Sequence, residues 1–290
     1  MKRRAWIRLA ALCLVASLWV AAAAGEVTIT FYHTSDLHEH AGPLARIAGF
    51  VREQRAAKKN VVFLDTGDWF NKGDLTDLGT RGEAMAALMG AMGYDAIIPG
   101  NHDYAHGTKR LAELIDKYEL PVTAANCTWP DAPPRHVKPY RTFAFDGVTV
   151  AVIGTATPNM GEAADRLLQV RPIAPTVGEL LPKLENTAGI MVLMTHLGPP
   201  EDQGLIRALP RADILFGGHH HRQFGKLNFD DKHKTVLQHS GCFGQHIGEV
   251  VITWDGQKIA GREARLIKVT PQMPECPKVA AIRAKYVPPR

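Results

Sequence analysis

Five short apolar runs in this chain each end in a cluster of polar, chemistry-bearing residues, and that recurrence limits the fold more than any other feature. "VTITFYH" (27–33) runs into "SDLHEH", "VVFLD" (61–65) into "TGDWFN", and "DAII" (95–98) into "PGNHDY". "IMVLM" (190–194) runs into "THLGPP", and "DILF" (213–216) into "GGHHH". Between these runs lie segments with apolar residues at helical spacing: 43–59, carrying Leu44, Ile47, Phe50 and Val51; 82–93, closed by Gly93; and 108–118. Strands alternating with helices make an α/β fold. In open α/β sheets, ligand sites gather where loops leave the carboxyl ends of strands.

The remaining segments continue the pattern. "PVTAANC" (121–127) reads as a strand, and "YRTFAF-DG-VTVAVIG" as a hairpin around an Asp-Gly turn. Helices are expected at 177–186 and near 201–209. Further strands are expected in "KTVLQHS", "EVVITWDG" and "REARLIKV". A chain of 290 residues with 46% hydrophobic and 22% charged residues has an ordinary globular composition. One domain over 26–270, followed by an exposed tail over 271–290, is the economical division.

The first 24 residues stand apart. "MKRRAWIR" is cationic, and "LAALCLVASLWVAAAA" is apolar with small residues at its end. That is the pattern of a secretory signal cleaved near Ala24–Gly25; the competing membrane anchor would need a longer core. "RRAWIR" also resembles a twin-arginine export signal. Of the formal charge of +5, four positive charges sit on Lys2, Arg3, Arg4 and Arg8, with no acid beside them. The remainder carries about +1, which gives no electrostatic basis for nucleic acid binding. The expected location is exported, periplasmic or secreted, without stable membrane insertion after signal removal. Cys127, Cys242 and Cys276 lack CxxC spacing and are read as structural or incidental, with one optional disulfide.

The polar clusters offer Asp36, His38, Asp68, Asn101, His102, His196, His219 and His221. These are carboxylate, amide and imidazole groups without a thiolate, a mixture that suits catalytic zinc, manganese or iron. One divalent ion takes about four to six ligands, so this number of candidates points to two ions. Asp68, central in the chain order, is the natural carboxylate to bridge them. In an extended segment residues i and i+2 point the same way. Asp36 and His38 can then reach one ion together. His219 and His221 share a face, with His220 pointing away. Two residues of strand span roughly 6.5–7 Å, and paired metals lie about 3.5–4 Å apart, so His219 and His221 can serve neighbouring ions.

Taken in order, "HTSDLHEHAGPLARIAGFVREQR", "LDTGDWF", "GYDAIIPGNHDYAHG", "THLGPPED" and "ADILFGGHHH" resemble the successive motifs of the calcineurin-like metallophosphoesterases. More narrowly they resemble the metal-binding domain of the exported 5′-nucleotidase group, with "LQHSGCFGQHIGEVVI" matching the strand pair after the last motif. The resemblance covers roughly 27–255. It implies a four-layer αββα sandwich. It also implies one ion held by Asp36, His38, Asp68 and His221, and another by Asp68, Asn101, His196 and His219. A metal-activated hydroxide would attack phosphorus in line. His102 and Asp103 are the catalytic candidates: His102 would stabilise the transition state or protonate the leaving oxygen, and Asp103 is the ordinary acidic residue of the GNH[DE] motif.

Two features depart from the nucleotidase pattern. Ala105 stands where an Asp orients the GNH histidine, while Asn71 occupies the place where some phosphatases of the superfamily keep that Asp. The large nucleoside-gripping C-terminal domain has no counterpart before Arg290, so nucleotide specificity is not carried over. The resemblance thus implies an exported dinuclear phosphoesterase acting on a small phosphate ester. A thiosulfohydrolase-like sulfur-ester hydrolase and a non-catalytic metal-binding envelope protein are the alternatives. His33, His40, His106, His136, His233, His239 and His246 are read as surface or satisfied polar residues, with His40 and His106 nearest to a supporting role. Oligomeric state is open.

Overall fold

In the computed structural model the described residues are 25–160, 165, 167–209, 211–232 and 234–287. The expected export signal, with Cys13, and His233 lie outside them. The strands run in chain order as β1 Val27–Thr34, β2 Val61–Asp65, β3 Ala96–Ile97, β4 Cys127–Thr128, β5 Tyr140–Phe145, β6 Val148–Gly154, β7 Gln169–Val170, β8 Ile190–Met194, β9 Ile214–Gly217, β10 Gln223–Lys226, β11 Val236–Ser240, β12 His246–Trp254 and β13 Ile259–Lys268. The helices are α1 Leu44–Ala57, α2 Glu83–Met92, α3 Thr108–Lys117, α4 Ile173–Leu184, α5 Pro199–Ala208 and α6 Pro277–Tyr286.

Among the described residues one sheet has the order β13-β12-β1-β2-β3 and a second β10-β11-β9-β8-β6-β5. In the first, β1, β2 and β3 are parallel; in the second, β6, β8, β9 and β11 are parallel. Phe31, Ile29, Leu64 and Val250 from one sheet meet Val152, Val192, Ile214 and Phe216 from the other in a fully apolar layer. The outer face of the first sheet, with Tyr32 and Phe63, is covered by Leu44, Ile47, Leu88 and Leu114 of α1, α2 and α3. The outer face of the second, with Ile153, Leu193 and Leu215, is covered by Val177, Leu181, Leu205 and Ile206 of α4 and α5. This is the αββα sandwich, with both sheets apolar on both faces, as parallel sheets between helices require. The Asp146-Gly147 hairpin forms between β5 and β6 as expected.

Three elements differ from the sequence reading. Residues 121–127 are not a strand of either sheet, because their amides are shared between partners on both. Thr123 N–H donates to Ile97 O at 2.7 Å, Ala124 N–H to Lys138 O at 2.9 Å, and Ala125 N–H to Gly154 O at 2.8 Å. The segment therefore crosses from one layer to the other. Helix α4 starts at Ile173 rather than 177, since prolines are tolerated in the first turn, where amides lack helical partners anyway. Finally, residues 277–286, expected within an exposed tail, form α6. Val279 is fully buried there, and Cys276 N–H donates to Ala45 O of α1 at 2.7 Å. Cys127, Cys242 and Cys276 are all free thiols, so the optional disulfide does not form.

The approach of residues 274–276 to α1 depends on Gly49, whose place for a Cβ lies 2.0 Å from Pro274 O and 2.9 Å from Cys276 N. Alanine is the better helix former by about 1 kcal/mol. Backbone overlap at that distance outweighs it, at about 1–3 kcal/mol. Gly49→Ala is expected to lower stability in urea unfolding; a rise would show that α6 is not held there.

His33 is completely buried, its ring 4.4 Å from that of Phe216 and its Nε2 3.2 Å from Gln238 Oε1. Burial, reinforced by the neighbouring His239, lowers its pKa to about 3. Its contribution to stability is present above pH 6.5 and drains away as pH falls towards 3, at about 1.4 kcal/mol per unit, because only the unfolded chain takes up the proton. Between pH 6.5 and 5 the protein should lose about 2 kcal/mol more than its His33→Gln variant. Parallel urea curves at the two pH values check this.

Candidate metal centre

The pairing of β1 with β2 continues past the strand ends into their exit loops. Asp36 N–H donates to Gly67 O at 2.8 Å, His38 N–H to Asp68 O at 2.9 Å, and Glu39 N–H to Trp69 O at 2.7 Å. These loops are not extended. Asp36, His38, Asp68, His219 and His221 have φ of 51°, 47°, 61°, 82° and 56°. Left-handed backbone costs such residues roughly 1–2 kcal/mol each and persists only where surrounding bonds enforce it. Asp103 supplies much of the enforcement. Fully buried, its carboxylate accepts N–H bonds from Asp68 (3.0 Å), Trp69 (2.8 Å), Phe70 (3.2 Å) and Gly100 (2.7 Å). Asp65 braces the same loop through Gly67 N–H at 2.9 Å and Trp69 Nε1–H at 2.8 Å. Gly100 lets the loops touch, since a Cβ there would lie 2.2 Å from Asp68 Oδ1.

Two donor triads result. Ligand atoms of Asp36, His38 and His221 all lie within 4.8 Å of one another, as do those of Asp68, His196 and His219. Asp68 Oδ2 stands 3.1 Å from His196 Nε2 and 3.6 Å from His38 Nε2, facing both triads. Asn101 Oδ1 is 2.9 Å from His219 Nδ1. Asp36 Oδ1 is 3.6 Å from His221 Nε2 and 3.8 Å from His196 Nε2. The backbone N–H of His219 reaches both Asp36 carboxylate oxygens at 3.1 Å, locking the β9 loop onto the β1 loop.

The ring orientations favour a cation between these groups. His196 Nδ1–H donates to Thr66 O at 2.6 Å and His38 Nδ1–H to Phe70 O at 3.1 Å, which aims both Nε2 atoms inward. His196 Nε2 is buried between two carboxylates, with no aligned hydrogen-bond partner among the described residues. A divalent ion would satisfy it, and the N/O donor set fits zinc, manganese or iron. Burial pushes His38 down to about 3 and His219 to about 4, and lowers His221 as well, so these rings are neutral and ready to ligate. Burial raises Asp36 to about 6. Burial also opposes charge on His196, but Asp68 and Asp36 outweigh it and lift the imidazole to about 10. Burial works against ionised Asp68 too, yet His196 holds it below the usual carboxylate range. Buried Asp103 is pushed well above that range, with Asp68 adding to the effect.

His102 lies beside this centre, its ring centroid 5.0 Å from that of His38 and its N–H donating to Asp68 Oδ1 at 2.8 Å. Ala105 closes the short turn that begins at His102, and Asn71 N–H is held by Glu39 Oε2 at 2.9 Å. His220 is exposed and belongs to neither triad; its ring leans over Gly198 and lies 5.0 Å from that of His219. Two residues escaped the sequence reading. Buried Glu39 also accepts the Thr76 hydroxyl at 2.7 Å and so pins the loop after Asp68. Phe243 stacks on His40 at 4.3 Å and sits 5.2 Å from His221, forming part of the rim. The only cue for either was adjacency to a motif: Glu39 in "SDLHEH" and Phe243 in "SGCFG".

Comparison with known proteins agrees with this architecture. Human 5′-nucleotidase is 26% identical over 315 aligned positions, which span 93% of this chain and 54% of that protein. The trifunctional nucleotide phosphoesterase YfkN of Bacillus subtilis is 24% identical over 281, spanning 84% of this chain and 19% of that one. The chain thus covers about half, or less, of the length of these curated relatives. Among solved structures, a 5′-nucleotidase precursor of Thermus thermophilus aligns with a TM-score of 0.76 at 23% identity, covering 90% of this chain and 58% of the other. The sulfate thiohydrolase SoxB of Thermus thermophilus aligns with a TM-score of 0.77 at 18% identity, covering 89% and 60%. Both are likenesses of fold. Residues 29–223, most of the chain, match the family model of the calcineurin-like phosphoesterases, and the chain belongs to that family.

Proposed function

We propose that this chain is an exported dinuclear phosphoesterase with a 5′-nucleotidase-like catalytic domain, hydrolysing a small phosphate ester. The observation that supports it most is the single carboxylate of Asp68 facing His38 on one side and His196 on the other. Asp36, His38, Asp68 and His221 would hold one ion, and Asp68, Asn101, His196 and His219 the other. Divalent ions in these places supply Lewis-acid activation of water and neutralise charge at the phosphate.

The chain's own groups do the rest. Thr66 O and Phe70 O fix the tautomers of His196 and His38, as carbonyl partners do for ligating imidazoles. As water oxygen bonds to phosphorus and the ester P–O bond breaks, His102 gives its proton to the departing oxygen. Asp103 positions both Asp68 and the turn that carries His102, and does not itself touch the reacting atoms. Export rests on the cationic and apolar start of the sequence. No helix among the described residues is long and apolar enough to cross a membrane.

Metal-loaded protein should release nitrophenol from nitrophenyl phosphate or bis-nitrophenyl phosphate, or phosphate from nucleotides. Turnover confined to a carrier-bound thiosulfate conjugate would transfer the site to sulfur-ester hydrolysis, and turnover of none, with metal bound, would leave a binding role. His102→Ala should lower kcat by about 10²–10⁴ without changing metal content. The loss should be larger for alkyl than for nitrophenyl phosphates, whose leaving group needs no proton; equal losses would remove His102 as the acid.

Metal binding itself can be tested apart from turnover. Gly100→Ala drives a methyl group into the place of Asp68 Oδ1, so manganese or zinc affinity by calorimetry should fall at least tenfold while far-UV dichroism is kept. Unchanged affinity would mean that Asp68 is not shared between the ions.

A further inference from the structure

The loop after Asp68 carries a cation that the chemistry above leaves unused. Phe70 O accepts His38 Nδ1–H at 3.1 Å, Asn71 N–H is held by Glu39 Oε2 at 2.9 Å, and a Cβ on Gly73 would stand 2.2 Å from His38 O. The stretch 70–73 is thus clamped on the His38–Glu39 segment. Within it Lys72 is left-handed at φ 74°, a conformation that glycine adopts freely and lysine does not. Its side chain is exposed, and among the described residues no carboxylate pairs with it. Its positive charge is felt at His38 and His221, where it disfavours the protonated rings. An exposed, unpaired cation on a strained loop clamped to the segment that carries His38 fits an anion that arrives with the substrate.

The charge of that anion distinguishes substrate classes. A phosphomonoester has a second ionisation near pH 6 and is largely dianionic at neutral pH, whereas a diester carries one negative charge. We infer that the Lys72 ammonium pairs with the additional charged oxygen of a phosphomonoester and makes this centre selective for monoesters over diesters. The inference rests on the phosphoesterase reading for its substrate, but not for the anion contact. Lysine suits the role because its charge is compact and its four-carbon stem lets it follow a phosphate through the reaction. Phe243, on the same rim near His221, leaves an aromatic face for the organic part of the ester.

The test uses the full chain loaded with manganese. Lys72→Gly removes the charge and relieves the backbone, so folding is spared. It should raise KM for nitrophenyl phosphate about tenfold, equivalent to about 1.4 kcal/mol, with kcat within twofold. KM for bis-nitrophenyl phosphate should move less than twofold, and Lys72→Arg should restore most of the monoester KM. In calorimetry, inorganic phosphate should bind about tenfold more weakly to Lys72→Gly. Equal effects on both esters, no effect on the monoester, or unchanged phosphate binding would overturn the inference. If the unsubstituted protein hydrolyses neither ester, the phosphoesterase reading falls. Phosphate calorimetry then decides on Lys72 alone: weakened binding upholds the anion contact and unchanged binding removes it.

Discussion

Left-handed backbone at five candidate ligands is the constraint on which the rest of the centre depends. At roughly 1–2 kcal/mol per residue, such strain is comparable with the whole stability of a small domain. It is held by an unusual concentration of bonds to backbone amides. Asp103 takes four of them, and the β1 and β2 loops exchange three more. The carboxylate that does most to shape the site is therefore one that faces away from it. Removing its charge alone leaves an oxygen that still accepts; removing its length leaves amides of three consecutive residues without a partner in a buried place, which is the costlier loss.

Electrostatics point the same way. Without cations the centre confines Asp36 and Asp68 beside four imidazoles, and burial drives most of these groups towards neutrality. His196 and Asp68 are the exceptions: the two carboxylates hold the imidazole charged, and it in turn holds Asp68 ionised. An imidazolium there is a substitute for a metal ion: it supplies the positive charge that the two carboxylates need, in a direction set by Thr66 O. Divalent cations held by these donors would supply that positive charge in place of the proton.

The sequence showed the donors and their order because the chemistry is local: each motif is a few residues at a strand end, and the strands are strongly apolar. What it did not show has non-local causes. Spacing along an extended segment pairs Asp36 with His38 and puts His219 and His221 on one face, but the operative geometry is left-handed turns rather than extended chain. Residue type reveals the first and not the second. Asp103 looks like one more polar residue of "GNHD"; three of its four partners are amides more than thirty residues away, and amides have no sequence signature. Helix α6 presents Val279, Ile282 and Tyr286 to the core, but only Val279 is fully buried, and the prolines before it and the cations within it give the segment the composition of a tail. Its docking depends on a glycine in another helix.

The distribution of donors between the sheets adds a mechanical consequence. Asp36, His38, Asp68 and Asn101 leave the β1–β2–β3 sheet, while His196, His219 and His221 leave the β8–β9 sheet. Each triad mixes the two: Asp36 and His38 with His221, and Asp68 with His196 and His219. Either cation would therefore join the layers of the sandwich. Direct bonds cross between the layers at the site, among them those from His219 N–H to Asp36, from His196 Nδ1–H to Thr66 O at 2.6 Å and from the Thr66 hydroxyl to Gly217 O at 3.1 Å, whereas the sheets behind it meet mainly through apolar packing without direction. Apolar packing holds the two sheets together but tolerates small sliding, whereas donor atoms must be set to within a fraction of an ångström. In this arrangement the binding of ions and the registration of the sheets would be one equilibrium, since whatever favours the aligned sandwich would favour ligation, and ligation would stabilise the aligned sandwich in return.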